Sequence, residues 1–208
     1  MRYIRAVLLI FLTSYTLPSY ATEFEISSYV GYTFSPSLAG VDNNSSISVD
    51  DKVNFSLGLA WQESTAKRAK NQGQGQLLIN YISRDFNGAD IAGNQLSNVN
   101  QKFDTLYVHF NGVSLIQESG YSTTISLGFG ASYFDSDFDN VIYPSLSTAI
   151  GTRHELTSQL TFITEVRAYA TLVKDDEPLF CQQENCAAYF DDALWFDTNI
   201  SIGLAYSF

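Results

Sequence analysis

The sequence predicts an all-β protein: an eight-stranded, antiparallel, up-and-down transmembrane β-barrel over residues 22–208, behind a signal peptide of residues 1–21. Three observations carry this expectation. Eight segments alternate apolar with small or polar residues at period two, the pattern of strands with one face in lipid and one in a polar lumen. An export signal opens the chain. The final alternating segment runs to the terminal Phe208.

In the export signal, Arg2 and Arg5 form a positive n-region, Ala6 to Leu12 an apolar h-region, and Ser19-Tyr20-Ala21 a small-x-small site, with cleavage expected after Ala21. An anchoring helix would need about 20 apolar residues, and Thr13, Ser14, Thr16 and Pro18 interrupt this run. Removing residues 1–21 leaves 9 basic against 22 acidic residues. That balance argues against a nucleic-acid partner, whose phosphates call for a basic footprint. Charged residues make up 16% and aromatics 14%, a composition that folds rather than stays disordered. Cys181 and Cys186 are expected to form a disulfide, since an exported chain meets an oxidising compartment. Neither His109 nor His154 lies near them in sequence to suggest a metal site.

The strands follow in order. The first sets Phe24, Ile26, Ser28, Val30, Tyr32 and Phe34 toward lipid against Glu23, Glu25, Ser27, Tyr29, Gly31 and Thr33. The second sets Val53, Phe55, Leu57, Leu59 and Trp61 against Lys52, Asn54, Ser56, Gly58 and Ala60. Residues 76–84 place Leu77, Ile79 and Tyr81 outside but also Leu78 and Ile82 inside, and residues 103–112 face Leu106, Val108 and Phe110 to lipid. The fifth strand sets Tyr121, Ile125, Leu127, Phe129 and Tyr133 outward. The sixth, 143–151, carries Leu146 and Ile150, with Pro144 weakening its start. The seventh sets Leu160, Phe162, Val166, Ala168 and Leu172 against Thr161, Glu165, Arg167 and Tyr169. The eighth sets Leu194, Phe196, Thr198, Ile200, Ile202, Leu204, Tyr206 and Phe208 against Trp195, Asp197, Asn199, Ser201, Gly203, Ala205 and Ser207.

Outer connections are then expected at 35–51, 85–102, 134–142 and 173–193, and inner turns at 62–75, 113–120 and 152–158. The turn holding Lys67, Arg68 and Lys70 is long enough to extend its strands as a hairpin beyond the membrane. Aromatics sort into an inner belt of Phe24, Trp61, Tyr121 and Phe208 and an outer belt of Phe34, Phe103, Tyr133 and Phe196. A soluble β-sandwich also alternates, but it gives no reason for a strand to run to the last residue.

Gly203-Leu204-Ala205-Tyr206-Ser207-Phe208 resembles the closing aromatic signal of outer-membrane barrels. Tyr206 and Phe208 are therefore expected to be read by the barrel-assembly machinery. The mature chain resembles the small barrels of the OmpA-transmembrane-domain and OmpX type. Its stretch Glu165-Val166-Arg167-Ala168-Tyr169, with the cysteine-bearing loop and aromatic closing strand, is similar to outer-membrane β-barrel proteins of unassigned function. The resemblance implies a monomer that crosses the cell outer membrane many times, in contact with outer-membrane lipid and lipopolysaccharide. No peptidoglycan-binding domain is expected after Phe208.

The lumen charges Glu25, Glu165, Arg167 and Asp197 are the first candidate site. Eight strands enclose a space that side chains can fill, so a salt-bridge plug is expected over an ion path, with Glu165, Arg167 and Asp197 as one group. Small inward residues such as Gly58, Ala60, Ser126, Gly128, Ser147 and Ala149 face large ones such as Tyr29, Leu78, Ile82, Tyr107, Tyr169 and Trp195. His109 reads as a hydrogen-bonding lumen residue rather than a general base, because no Ser/His/Asp spacing accompanies it. His154, in a turn, is a poorer candidate still. Asp135, Asp137 and Asp139 alternate as calcium-type oxygen ligands but lack the glycine and terminal glutamate of a binding loop. They read as an acidic connection, or as one that shares an ion with lipopolysaccharide phosphates. No cofactor is expected. The function expected is that of a non-enzymatic integral outer-membrane protein, envelope-structural or surface-interacting through its outer loops. The alternatives are a narrow channel or carrier for a small solute and a lipid-modifying enzyme.

Overall fold

The computed structural model describes residues 22–36, 38–40, 46–63, 71–87, 101–136, 140–173, 178–182, 185–189 and 193–208. The expected signal peptide, Asp137 and Asp139 lie outside them, as do the side chains of Cys181 and Cys186. Twelve strands are described: β1 (Thr22–Phe34), β2 (Leu38–Gly40), β3 (Ser46–Val49), β4 (Lys52–Glu63), β5 (Asn71–Asn87), β6 (Gln101–Gln117), β7 (Ser122–Ser136), β8 (Asn140–Glu155), β9 (Leu160–Leu172), β10 (Pro178–Gln182), β11 (Asn185–Tyr189) and β12 (Leu194–Ser207).

Eight of these close a ring. β1 pairs with β4, β4 with β5, and so on through β6, β7, β8 and β9 to β12, which pairs back to β1, antiparallel throughout. The register measures the stagger. A path along paired residues from Phe24 passes Trp61, Gly75, Gly112, Leu127, Thr148, Ala168 and Thr198, and returns to β1 at Phe34, ten residues further on. Eight strands with that shear tilt by about 40° from the barrel axis and leave an interior of side-chain width.

The two faces divide as the alternation requires. Phe55, Leu127 and Phe129 are 61%, 69% and 67% exposed on the outside, within a continuous apolar band. Such a band is untenable in water and is what a bilayer covers. Among the described residues no helix is long and apolar enough to cross a membrane. Phe24, Trp61, Tyr121 and Phe208 stand exposed at one end. Phe208 stacks on Phe24 with centroids 6.4 Å apart and donates its N–H to Phe24 O at 3.0 Å. Phe34 and Phe196 stand exposed at the other end.

Several expectations need correction. Phe103 is not in the outer belt. It is 1% exposed, inside the barrel, because its odd position on β6 shares the parity of the inward Tyr107 and His109. The strands expected at 76–84 and 103–112 are each 17 residues long, as β5 and β6. Beyond the membrane both faces of Asn71-Gln72-Gly73-Gln74 are polar or small, so alternation lapses while the ladder to β6 continues. The inner turns expected at 113–120 and 152–158 shrink to the links between Gln117 and Ser122 and between Glu155 and Leu160. In the first, Gly120 holds φ +93°, a left-handed conformation that favours glycine. Pro144 lies within β8, not at its start. Pairing with β9 begins one residue later at Ser145, which places the proline where one neighbouring ladder stops.

The outer connections 35–51 and 173–193 are not plain loops. β2 and β3 form a hairpin whose β3 continues from β5 through Ser48↔Asn87 and Val49↔Phe86. β10 and β11 form a second hairpin, joined to β2 through Ala188↔Gly40 and Tyr189↔Ala39. A small sheet in the order β10-β11-β2-β3 thus hangs from the outer end of β5.

Candidate functional site

Filling the lumen is first a matter of shape. Gly203 takes the Tyr29 ring against its backbone: a Cβ there would lie 2.5 Å from the ring. Tyr29, Leu78, Ile163 and Ala205 pack together as one buried cluster, and Ile82, Tyr107 and Tyr169 as another. The Tyr107 and Tyr169 rings stack face to face at 4.1 Å.

The charges form three separate pairs along the axis, not one group. Nearest the outer end, Arg84 on β5 reaches across to Asp197 on β12. Its Nη1 donates to Oδ1 and its Nη2 to Oδ2, each at 2.9 Å, and both side chains are wholly buried. Arg84 also donates to Thr105 Oγ1 at 2.8 Å and to Ser35 Oγ, while Tyr107 OH donates to Asp197 Oδ2. The guanidinium lies 5.3 Å from the Phe103 ring centroid and 6.0 Å from that of Trp195. Phe103 stacks on Phe134 at 5.3 Å, and Phe134 packs against Tyr143 at 5.9 Å. These aromatics, with Arg84 among them, form a layer across the outer mouth.

In the middle, Arg167 Nε and Nη2 donate to Glu165 Oε1 and Oε2 at 2.8 and 3.0 Å, and Nη1 donates to Asn111 Oδ1 at 3.3 Å. Ser147 Oγ donates to the same amide oxygen at 2.8 Å. Two residues apart on one strand, the pair needs no second strand to meet. At the inner mouth Arg153 on β8 binds Glu25 on β1, with Ser207 Oγ donating to Glu25 Oε2 at 3.3 Å. A concavity of about 40 Å³ lies beside this pair, lined by Glu23, Glu25, Ala60, Gln74 and Ser207 among others. Each lumen arginine is matched by one carboxylate, as burial of charge requires.

Neutral hydrogen bonds occupy the gaps. Asn54 Nδ2 and Ser56 Oγ both donate to Asn80 Oδ1, at 2.9 and 3.0 Å. The Ser132 and Thr171 hydroxyls meet at 2.7 Å. His109 Nε2 lies 2.9 Å from Ser145 Oγ, both buried within the lumen. This serine–histidine pair faces away from lipid, where a lipid substrate would have to approach. Asp135 is exposed at the end of β7, opposite Asp104. Among the described residues no group of three potential metal ligands is present.

Of the expected lumen charges, Glu165 and Arg167 meet each other, while Asp197 and Glu25 each meet an arginine that sequence reasoning passed over. The signal for Arg84 was its parity with the inward Leu78 and Ile82 on one strand. Arg153 was hidden by the early end assigned to the sixth strand; on β8 it shares the inward face of Ala149.

No family model matches the chain, and no curated protein sequence is similar to it. Solved structures do resemble it. OprG, an outer membrane protein from Pseudomonas aeruginosa, superposes with a TM-score of 0.54 at 13% identity, over 90% of this chain and 96% of that one. A major outer membrane protein from Thermus thermophilus gives 0.52 at 13% identity, over 90% and 100%. The Neisserial surface protein A gives 0.50 at 8% identity, over 89% and 97%. Identities this low speak for the fold alone. With the apolar outer band, that fold makes the chain a multi-pass barrel of the outer membrane.

Proposed function

We propose that this protein is a non-enzymatic outer-membrane barrel with an ion-tight lumen, whose work is done by its outer connections in envelope structure or surface interaction. The observation that carries the reading is the blocked axis: Arg84–Asp197, Arg167–Glu165 and Arg153–Glu25 stacked beneath and beside packed aromatics. An ion following the axis would have to displace buried, hydrogen-bonded charge pairs, each costly to break. The outer end, by contrast, carries a sheet that adds nothing to closure of the barrel. The expected partners, outer-membrane lipid, lipopolysaccharide and the assembly machinery, belong to this reading, as does a monomeric state.

Planar-bilayer recording of the folded full chain tests it. Silent bilayers at protein densities confirmed by immunodetection are expected. Reproducible, ion-selective steps would replace this reading with that of a narrow channel.

A further inference from the structure

Glycine inside a strand weakens it, and it marks either a bulge or a place where another group comes close to the backbone. On the outward face of β5 and β6, toward the inner end, Gly73, Gly75 and Gly112 fall together, with Gly75 paired to Gly112 and Gly73 to Ser114. The pairing runs through them without a break, so no bulge explains them. Packing explains one. The Trp61 ring on β4 lies across Gly75, where a Cβ would collide with it, an aromatic covering a bare glycine. The other two have no such reason. A Cβ on Gly73 would meet nothing within 4 Å, and one on Gly112 nothing closer than the Leu127 carbonyl oxygen at 4.0 Å.

The space left open is a groove of about 790 Å³, within the size range of small-molecule sites. Trp61 forms one wall, and Ile125 and Leu127 on β7 the other. The stagger of the ring gives the groove its slope. The paired row that climbs from Phe24 to Phe34 passes Trp61, Gly75, Gly112 and Leu127 in the first four of its eight steps. The groove therefore rises from the inner aromatic belt at Trp61 to the middle of the barrel wall at Leu127. Its low end is polar: Gly73 and Ser114 lie exposed where the apolar band gives out, and the Trp61 indole brings an N–H to that depth. Its upper end is apolar, within the band that the bilayer covers. A molecule with a polar end at the interface and a chain running to mid-membrane matches that gradient.

We propose that this groove holds one glycerophospholipid of the inner leaflet, with an acyl chain over Gly112 against Ile125 and Leu127. Its ester and headgroup lie beside Gly73, Ser114 and the Trp61 indole. This extends the lipid contact of the reading above to one defined site, and it does not depend on whether the lumen conducts.

The test uses the full chain folded in alkyl-maltoside micelles, so that detergent covers the rest of the band. The probe is trace phosphatidylethanolamine carrying a diazirine in one acyl chain. Light-induced labelling of Ile125 and Leu127 should exceed by about tenfold that of Leu57 and Val166, outward-facing residues at a similar height outside the groove. Unlabelled phosphatidylethanolamine should displace the probe, and added maltoside should not. A Cβ at Gly112 has room, so Gly112→Leu fills the groove and should bring labelling down to the level of Leu57, with unfolding in urea unchanged or delayed. Gly73→Leu, at the polar end, should lower labelling likewise and serves if Gly112→Leu does not fold. Even labelling around the barrel, labelling that survives these substitutions, or equal displacement by maltoside would overturn the proposal. Conduction in planar bilayers would refute the ion-tight lumen and leave this site standing, while even labelling would leave the closed lumen standing.

Discussion

Arg84 and Asp197 lend themselves to a double-mutant cycle, because among the described residues each is the other's only ionic partner and both are wholly buried. Arg84→Met removes two 2.9 Å charge-assisted bonds and leaves the Asp197 carboxylate with only the neutral hydroxyls of Tyr107 and Ser35 as donors. Stranding a buried charge in this way costs about 3–5 kcal/mol. Asp197→Leu strands the guanidinium, which keeps Thr105 and Ser35 as acceptors, and should cost a similar amount. In the double variant no charge is stranded. The hydroxyls of Tyr107, Thr105 and Ser35 lose partners, a loss of about 1–3 kcal/mol. The coupling between the two sites should therefore exceed about 3 kcal/mol. Urea unfolding of the barrel in lipid vesicles, followed by tryptophan fluorescence and by heat-modifiable migration on gels, measures all four corners. Additive losses, or single variants within about 1 kcal/mol of wild type, would show that this pair does not hold the outer mouth together.

Two other outcomes are expected. Replacing Cys181 and Cys186 with serine should leave barrel insertion intact and make the outer hairpin easier to cleave, since a loop this short contributes about 2 kcal/mol by chain entropy; free thiols in the unreduced native protein would show that no bridge forms. Deleting Phe208 removes its N–H bond to Phe24 O and its stacking on Phe24. Outer-membrane insertion should fall and protease-sensitive periplasmic chain accumulate; normal insertion would refute the role of this residue as an assembly signal.

The spanning strands were legible in the sequence because lipid imposes a rule on every second residue. Along β12, Trp195, Asp197, Asn199, Ser201, Gly203 and Ala205 are all buried, and the residues between them face out, as alternation alone requires. Where lipid ends, the rule ends. The ladder of β5 and β6 runs on through Asn71–Gln74, and β2, β3, β10 and β11 form within connections whose composition reads as loop. Their backbone pairing leaves no periodic mark on such short segments. Parity likewise told which charges enter the lumen but not which of them meet. Glu165 and Arg167 are neighbours on one strand face, so sequence sufficed for them. Arg84 lies 113 residues from Asp197, and Arg153 lies 128 from Glu25. Their meeting depends on the ten-residue stagger with which eight strands close, a property of the whole ring that no single segment encodes.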